Sequence, residues 1–220
     1  MRWNEIWAEW AKAIAEKMKL KKWVTLGLGW NKIWDNWAKL IAKNLKLEEW
    51  VKLELYGNEI WVRWVRAISN MNLEKWVCLH LWSNQFWSKW AKVLAKNMKL
   101  KDWVTLNLNS NKIWDGWVMA LAKQMELKDW VELDLRWNEI WAEWARAVAE
   151  NMKLKEWVYL ELSHNYIWDE WAKLIIEQME LKEWVTLNLW GNYISNEMKQ
   201  KLRDREKSYI DKWINCSVVV

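Results

Sequence analysis

An asparagine recurs along the chain at Asn4, Asn31, Asn58, Asn84, Asn111, Asn138, Asn165 and Asn192, every step being 27 residues except one of 26. A period of this size marks a solenoid, in which one supersecondary unit cannot bury its apolar side alone and must stack on copies of itself. Such a stack has no central cleft, so function is expected on a surface. The repeat runs from residue 2 to about 195 of 220, which predicts one elongated domain over 1–195 and a capping helix and tail over 196–220. Proline is absent and no Ser/Gly-rich stretch interrupts the register as a linker would.

Within one unit, Val24, Leu26 and Leu28 alternate with Thr25, Gly27 and Gly29. That pattern predicts a short strand with its aliphatic residues on one face and small or polar residues on the other. Asn31 and Ile33 follow. Asp35 then stands as an N-cap before a helical pattern in which Trp37, Ile41 and Leu45 share a face, and Leu47 closes the unit. The string Leu-x-Leu-x-x-Asn-x-Ile returns at Leu53, Leu106, Leu133 and Leu160, and once with Phe86 in place of the isoleucine.

This recurrence resembles the leucine-rich repeat family, in its ribonuclease-inhibitor-like class, where every repeat carries a strand and a full helix. The resemblance implies an α/β leucine-rich repeat solenoid, curved, with parallel strands on the concave face and helices on the convex face. It also implies that the asparagines form a ladder, each side-chain amide bonding backbone groups of its own and neighbouring rungs. Members of the class act as inhibitors, ligand sensors and regulators of small GTPases. Packing distances predict the same bend, because strands sit about 4.8 Å apart and packed helices roughly 8 to 10 Å. Beyond Asn196 a charged segment with a sparse stripe of Met198, Leu202, Tyr209 and Trp213 is expected to cap the stack, with Val218 to Val220 covering the last strand edge.

Tryptophan is the anomaly: 27 stand beside one phenylalanine and five tyrosines. Trp23, Trp50, Trp76, Trp103, Trp130, Trp157 and Trp184 each lie eight residues before an asparagine; a second column (Trp7, Trp34, Trp61, Trp87, Trp114, Trp141, Trp168) lies three after, and a third (Trp10, Trp37, Trp64, Trp90, Trp117, Trp144, Trp171) six after. Repeats of the family resembled usually have glycine at the last two positions. The two residue types interchange here as well, since just before the asparagine stand Trp3, Trp30 and Trp137 but Gly57 and Gly191. The smallest and largest residues share no side-chain property, and an indole beside Ile41 and Leu45 overpacks a rung. A gene whose UGA codons are read as glycine accounts for the interchange. A tryptophan-laddered design and a genuine aromatic repeat are the alternatives.

The formal charge of +5, with pI near 9.0, is spread among many carboxylates and lacks the concentrated basic patch of nucleic-acid binders. Lys39, Lys43 and Lys46 fall on the helical side, as a solvated face. No apolar run nears the roughly 18 residues needed to cross a bilayer. Cys78 and Cys216 are too few for a disulfide framework, and Cys216 misses prenylation spacing. The opening Met1-Arg2-Trp3-Asn4 has no basic and apolar leader, which leaves a cytoplasmic protein or a chain lacking its true N-terminus.

Outward strand positions vary from rung to rung where the inward ones do not, as on a recognition surface. The residues singled out are Lys52, Glu54, Tyr56, Cys78, His80, Trp82, Asn107, Glu132, Asp134, Arg136, Tyr159, Glu161 and Asn188. Cys78, His80 and Glu54 could be imagined as a metal pair or a thiol with its base, but a zinc site wants three or four ligands and a nucleophile wants an oxyanion hole. Glu132, Asp134 and Glu161 form an acidic patch, expected to stay hydrated and ionised, to repel phosphate and to suit a basic segment. The sequence therefore predicts a non-catalytic protein-recognition module with a protein partner, no metal, no cofactor, no nucleic acid and no membrane. The alternative is a structural element that binds by its ends or convex helices.

Overall fold

The computed structural model describes residues 13–14, 16–31, 33, 35–58, 60, 62–84, 93–94, 96–114, 119–120, 122–123, 126–141, 151, 154–179, 181–212 and 216–220. Among the described residues eight strands of three residues each appear in order: β1 (Thr25–Gly27), β2 (Lys52–Glu54), β3 (Cys78–His80), β4 (Thr105–Asn107), β5 (Glu132–Asp134), β6 (Tyr159–Glu161), β7 (Thr186–Asn188) and β8 (Ser217–Val219). They form one open, all-parallel sheet whose spatial order is the chain order. Leu26, Leu53, Leu79, Leu106, Leu133, Leu160, Leu187 and Val218 pair across it as a single column. The fold is thus a parallel repeat stack of about 27 residues per rung, as the asparagine spacing predicts.

The one short step, between Asn58 and Asn84, leaves the sheet untouched: Lys52 pairs with Cys78 in the same register as every other rung. Aligning the columns places the missing residue between Ile68 and Met71, just where α2 (Val62–Ser69) ends. A slip inside a strand would turn its apolar side to water, whereas a helix exit absorbs it. Helices also cover α1 (Asp35–Asn44), α3 (Asp169–Gln178) and α4 (Asn196–Ile210). Asp35 begins α1, one position inside the cap assigned to it from sequence, a shift within the usual uncertainty of helix ends.

The strand leucines, the helix residues Ile41 and Ile68, and the closing column Leu20, Leu47, Leu73, Leu100, Leu127, Leu154 and Leu181 belong to one continuous buried core. Each fully enclosed aliphatic side chain contributes about 1.5–3 kcal/mol. Val51 and its equivalents through Val185 are completely buried, but Val24 is exposed; among the described residues β1 pairs on one side only, so no rung covers it. Trp171 of the third tryptophan column is fully enclosed. Asn4, Phe86 and Trp213, and the side chains of Trp37 and Trp64, lie outside the described residues.

The asparagine ladder is complete from Asn31 to Asn192. Each Oδ1 from Asn58 onward accepts the backbone N–H of the preceding rung's asparagine at 3.0–3.2 Å. Most also accept the N–H of that rung's isoleucine, as Asn138 does from Ile113 at 3.1 Å. Each Nδ2 from Asn58 onward donates to leucine carbonyls of its own and the preceding rung, Asn165 to Leu162 at 2.9 Å and to Leu135 at 3.1 Å. Backbone groups that bend away from sheet pairing at each corner are thereby satisfied without water.

At the far end α4 docks through Leu202 and Tyr209, both buried. The Tyr209 hydroxyl donates to the Met179 carbonyl at 3.1 Å and accepts from the Leu181 N–H at 3.4 Å. Ser195 caps the helix by accepting the Met198 N–H at 3.2 Å, and the tail returns as β8 against β7, with Val218 opposite Leu187.

Candidate functional site

The outward side chains of the sheet fall into two columns, and the structure treats them differently. The first strand position carries Thr25, Lys52, Cys78, Thr105, Glu132, Tyr159 and Thr186, all exposed or half-exposed. The third carries Gly27, Glu54, His80, Asn107, Asp134, Glu161 and Asn188, and here three carboxylates are almost wholly buried: Glu54 at 3 %, Asp134 at 2 % and Glu161 at 4 % exposure. Expected from sequence to sit hydrated on an open face, Asp134 and Glu161 are instead enclosed and engaged. Tyr56, also expected on the surface, is buried; its ring stacks on Trp82 at 4.2 Å.

The cause is local. Third-position side chains fold forward and accept the backbone N–H two residues on: Asn107 from Asn109, Asp134 from Arg136, Glu161 from Ser163 and Asn188 from Trp190, at 2.9–3.0 Å. This is the side-chain mimicry of a turn that Asx residues favour. Asparagine or aspartate two positions before the turn is the sequence signal that reveals it.

Charge on the column is met from both sides. Arg136 grips Asp134 with Nε on Oδ1 at 3.1 Å and Nη2 on Oδ2 at 2.7 Å, a bidentate pairing. Asn107 Nδ2 donates to Asp134 Oδ2 at 2.9 Å. Glu161 accepts from the Tyr159 hydroxyl and from Asn188 Nδ2, both at 2.8 Å. Lys52 lies 3.1 Å from Glu54. The hydrogen bond to Asp134 raises the Arg136 pKa above its usual value, and partial desolvation, with the Glu161 bond, raises that of Tyr159.

Glu132 differs from its neighbours. It is exposed, and among the described residues its carboxylate accepts from Thr105 Oγ1 at 3.3 Å. Desolvation of its carboxyl, with Asp134 adding repulsion, lifts its pKa above the ordinary value. His80 is held below the ordinary imidazole value, first by burial and then by the charge of Lys52, with Glu54 and Asp134 opposing.

Glu54 does pair directly with His80 across β2 and β3, and Lys52 with Cys78. Cys78 is half-exposed and, like Cys216, a free thiol; burial pushes the Cys216 thiol up to about 11. Among the described residues no three His, Cys, Asp or Glu side chains are placed to hold a metal ion, and no helix is long and apolar enough to cross a membrane. Of the residues singled out from sequence, Lys52, Cys78, His80, Trp82, Asn107, Glu132, Arg136, Tyr159 and Asn188 are half-exposed or exposed, and Glu54, Tyr56, Asp134 and Glu161 are buried. No protein-family model and no curated protein matches the chain.

Proposed function

We propose that the chain is a leucine-rich repeat solenoid of the helix-bearing class, whose work is non-catalytic recognition of a protein partner through the outward strand face. One contrast carries this reading. The inward column is leucine on seven consecutive strands, while the first outward column runs threonine, lysine, cysteine, threonine, glutamate, tyrosine and threonine in the same register. Packing demands the first, while the second lies outside the core and makes only local polar contacts, so its variation fits a face that meets a partner. Free thiols in both cysteines suit a reducing, cytoplasmic setting.

The surface has a polar character set by Glu132, Lys52, Arg136 and Tyr159. Glu132 is the exposed residue of the acidic patch, so it, rather than the buried Asp134 or Glu161, would meet a basic side chain of the partner. A photo-crosslinking residue placed at Thr105 or Thr186, and separately at Lys39 on α1, distinguishes the faces in cells of the native host. Capture of one defined protein from the strand positions, abolished by Glu132→Lys with Tyr159→Ala, is the expected result. Capture only from Lys39 would replace recognition by the strand face with assembly through the helices.

A further inference from the structure

The seven tryptophans that precede the strands occupy a backbone position that only glycine fills without strain. From Trp23 to Trp184 their φ angles lie between 59° and 69°, in the left-handed region where a Cβ meets the following carbonyl. The geometry around them is that of a tight turn. Val51 N–H donates to the Glu48 carbonyl and Val77 N–H to the Glu74 carbonyl, each at 3.3 Å, and Val131 and Val185 repeat the bond. The tryptophan is the third residue of each such turn, and the second residue has no positive φ. A four-residue turn with positive φ at its third position alone is of the type II kind, which calls for glycine there.

A second column makes the substitution visible within the chain itself. Trp30 and Trp137, at φ 55° and 51°, stand where Gly57 and Gly191 stand, at 64° and 70°. The same left-handed corner carries Ser83, Ser110 and His164 on other rungs, each at φ 54°, so this column admits several residues, whereas the column before the strands is tryptophan on all seven. In the column before the strands the end members Trp23 and Trp184 are 71 % and 45 % exposed and the five between them are half-exposed, so none fills the core. Consecutive indoles do stack, at 3.9 to 4.6 Å. Any planar group placed at one point on every rung stacks at about the strand spacing, so the stacking follows from the repeat and does not explain the residue.

We propose that these seven positions are glycine in the protein the native cell makes, the gene being written in a code that reads UGA as glycine. The aromatic ribbon is then absent from the cellular protein, and partner recognition falls on the polar strand columns.

Two measurements test this, and neither depends on which face binds a partner. Trypsin cuts after Lys101 and Lys112 and after Lys128 and Arg136, so the peptides covering 102–112 and 129–136 each hold one turn tryptophan. Tandem mass spectrometry of these peptides from native cells is expected to read glycine at 103 and 130; tryptophan there overturns the proposal. In the chain as written, Trp103→Gly is expected to melt above Trp103→Ala, because both lose the same stacking and only glycine relieves the backbone. An alanine variant as stable as the glycine one removes the conformational ground for the assignment.

Discussion

Replacing Asn138 by alanine tests whether the ladder holds the stack together. Its Oδ1 accepts Asn111 N–H at 3.0 Å and Ile113 N–H at 3.1 Å. Its Nδ2 donates to the carbonyls of Leu108, Leu135 and Arg136 at 2.9–3.2 Å. The two sides of the amide do not weigh equally. Each carbonyl keeps another donor: Leu108 that of Asn111 Nδ2, Leu135 that of Asn165 Nδ2, and Arg136 that of Ser110 N–H. The two N–H groups lose their acceptor in a buried corner. At about 1–3 kcal/mol for each orphaned donor, the loss is about 2–6 kcal/mol, a large part of the roughly 5–15 kcal/mol that holds a domain folded. Urea melts followed by circular dichroism measure it. Asn138→Asp separates the halves, since it keeps the acceptor but turns a carboxylate towards three carbonyls. Protonation gives it a donor for those carbonyls, so its deficit relative to the parent is expected to shrink in acid, while that of the alanine variant changes less. A loss below about 1 kcal/mol for alanine would mean that the N–H groups reach water, and the closed-corner reasoning would fail.

Glu132→Gln is expected to raise the unfolding midpoint at neutral pH. The folded carboxyl titrates above its ordinary 4.5, so its contribution is complete below that value and lost as pH rises through the folded pKa; an unchanged midpoint would refute the partial desolvation of an otherwise exposed residue. His80 acts in the opposite sense: its folded pKa lies below the ordinary 6.5, so its contribution is complete above pH 6.5 and lost as pH falls, and His80→Gln should flatten that part of a stability-against-pH curve. Ser195→Ala, which removes the acceptor of the Met198 N–H, should cost about 1 kcal/mol, with hydrogen exchange quickening first in α4. Equal protection across the mutant would argue that docking through Leu202 and Tyr209, rather than the cap, holds the helix.

The period and the direction of each strand's aliphatic side were legible in the sequence, because they are consequences of steric alternation and of a residue repeated at constant spacing; the ladder was implied by the family resemblance. Val24 and Asp35 mark where that reading loosens: the first is exposed at a sheet edge and the second sits a position inside its helix. The tail was legible as apolar, and its valine does pair with the last strand. The acidic patch was not, since whether Asp134 and Glu161 face water depends on Arg136, Asn188 and the turn N–H groups closing on them.

Sequence alone therefore determined that copies of one unit must stack around a shared dry interior, for no single unit has enough apolar surface to fold by itself. Only the assembled stack decided which outward groups remain free and which corners turn left-handed. Both depend on bonds between residues about 27 apart and on backbone angles, and a linear pattern of residue types carries neither.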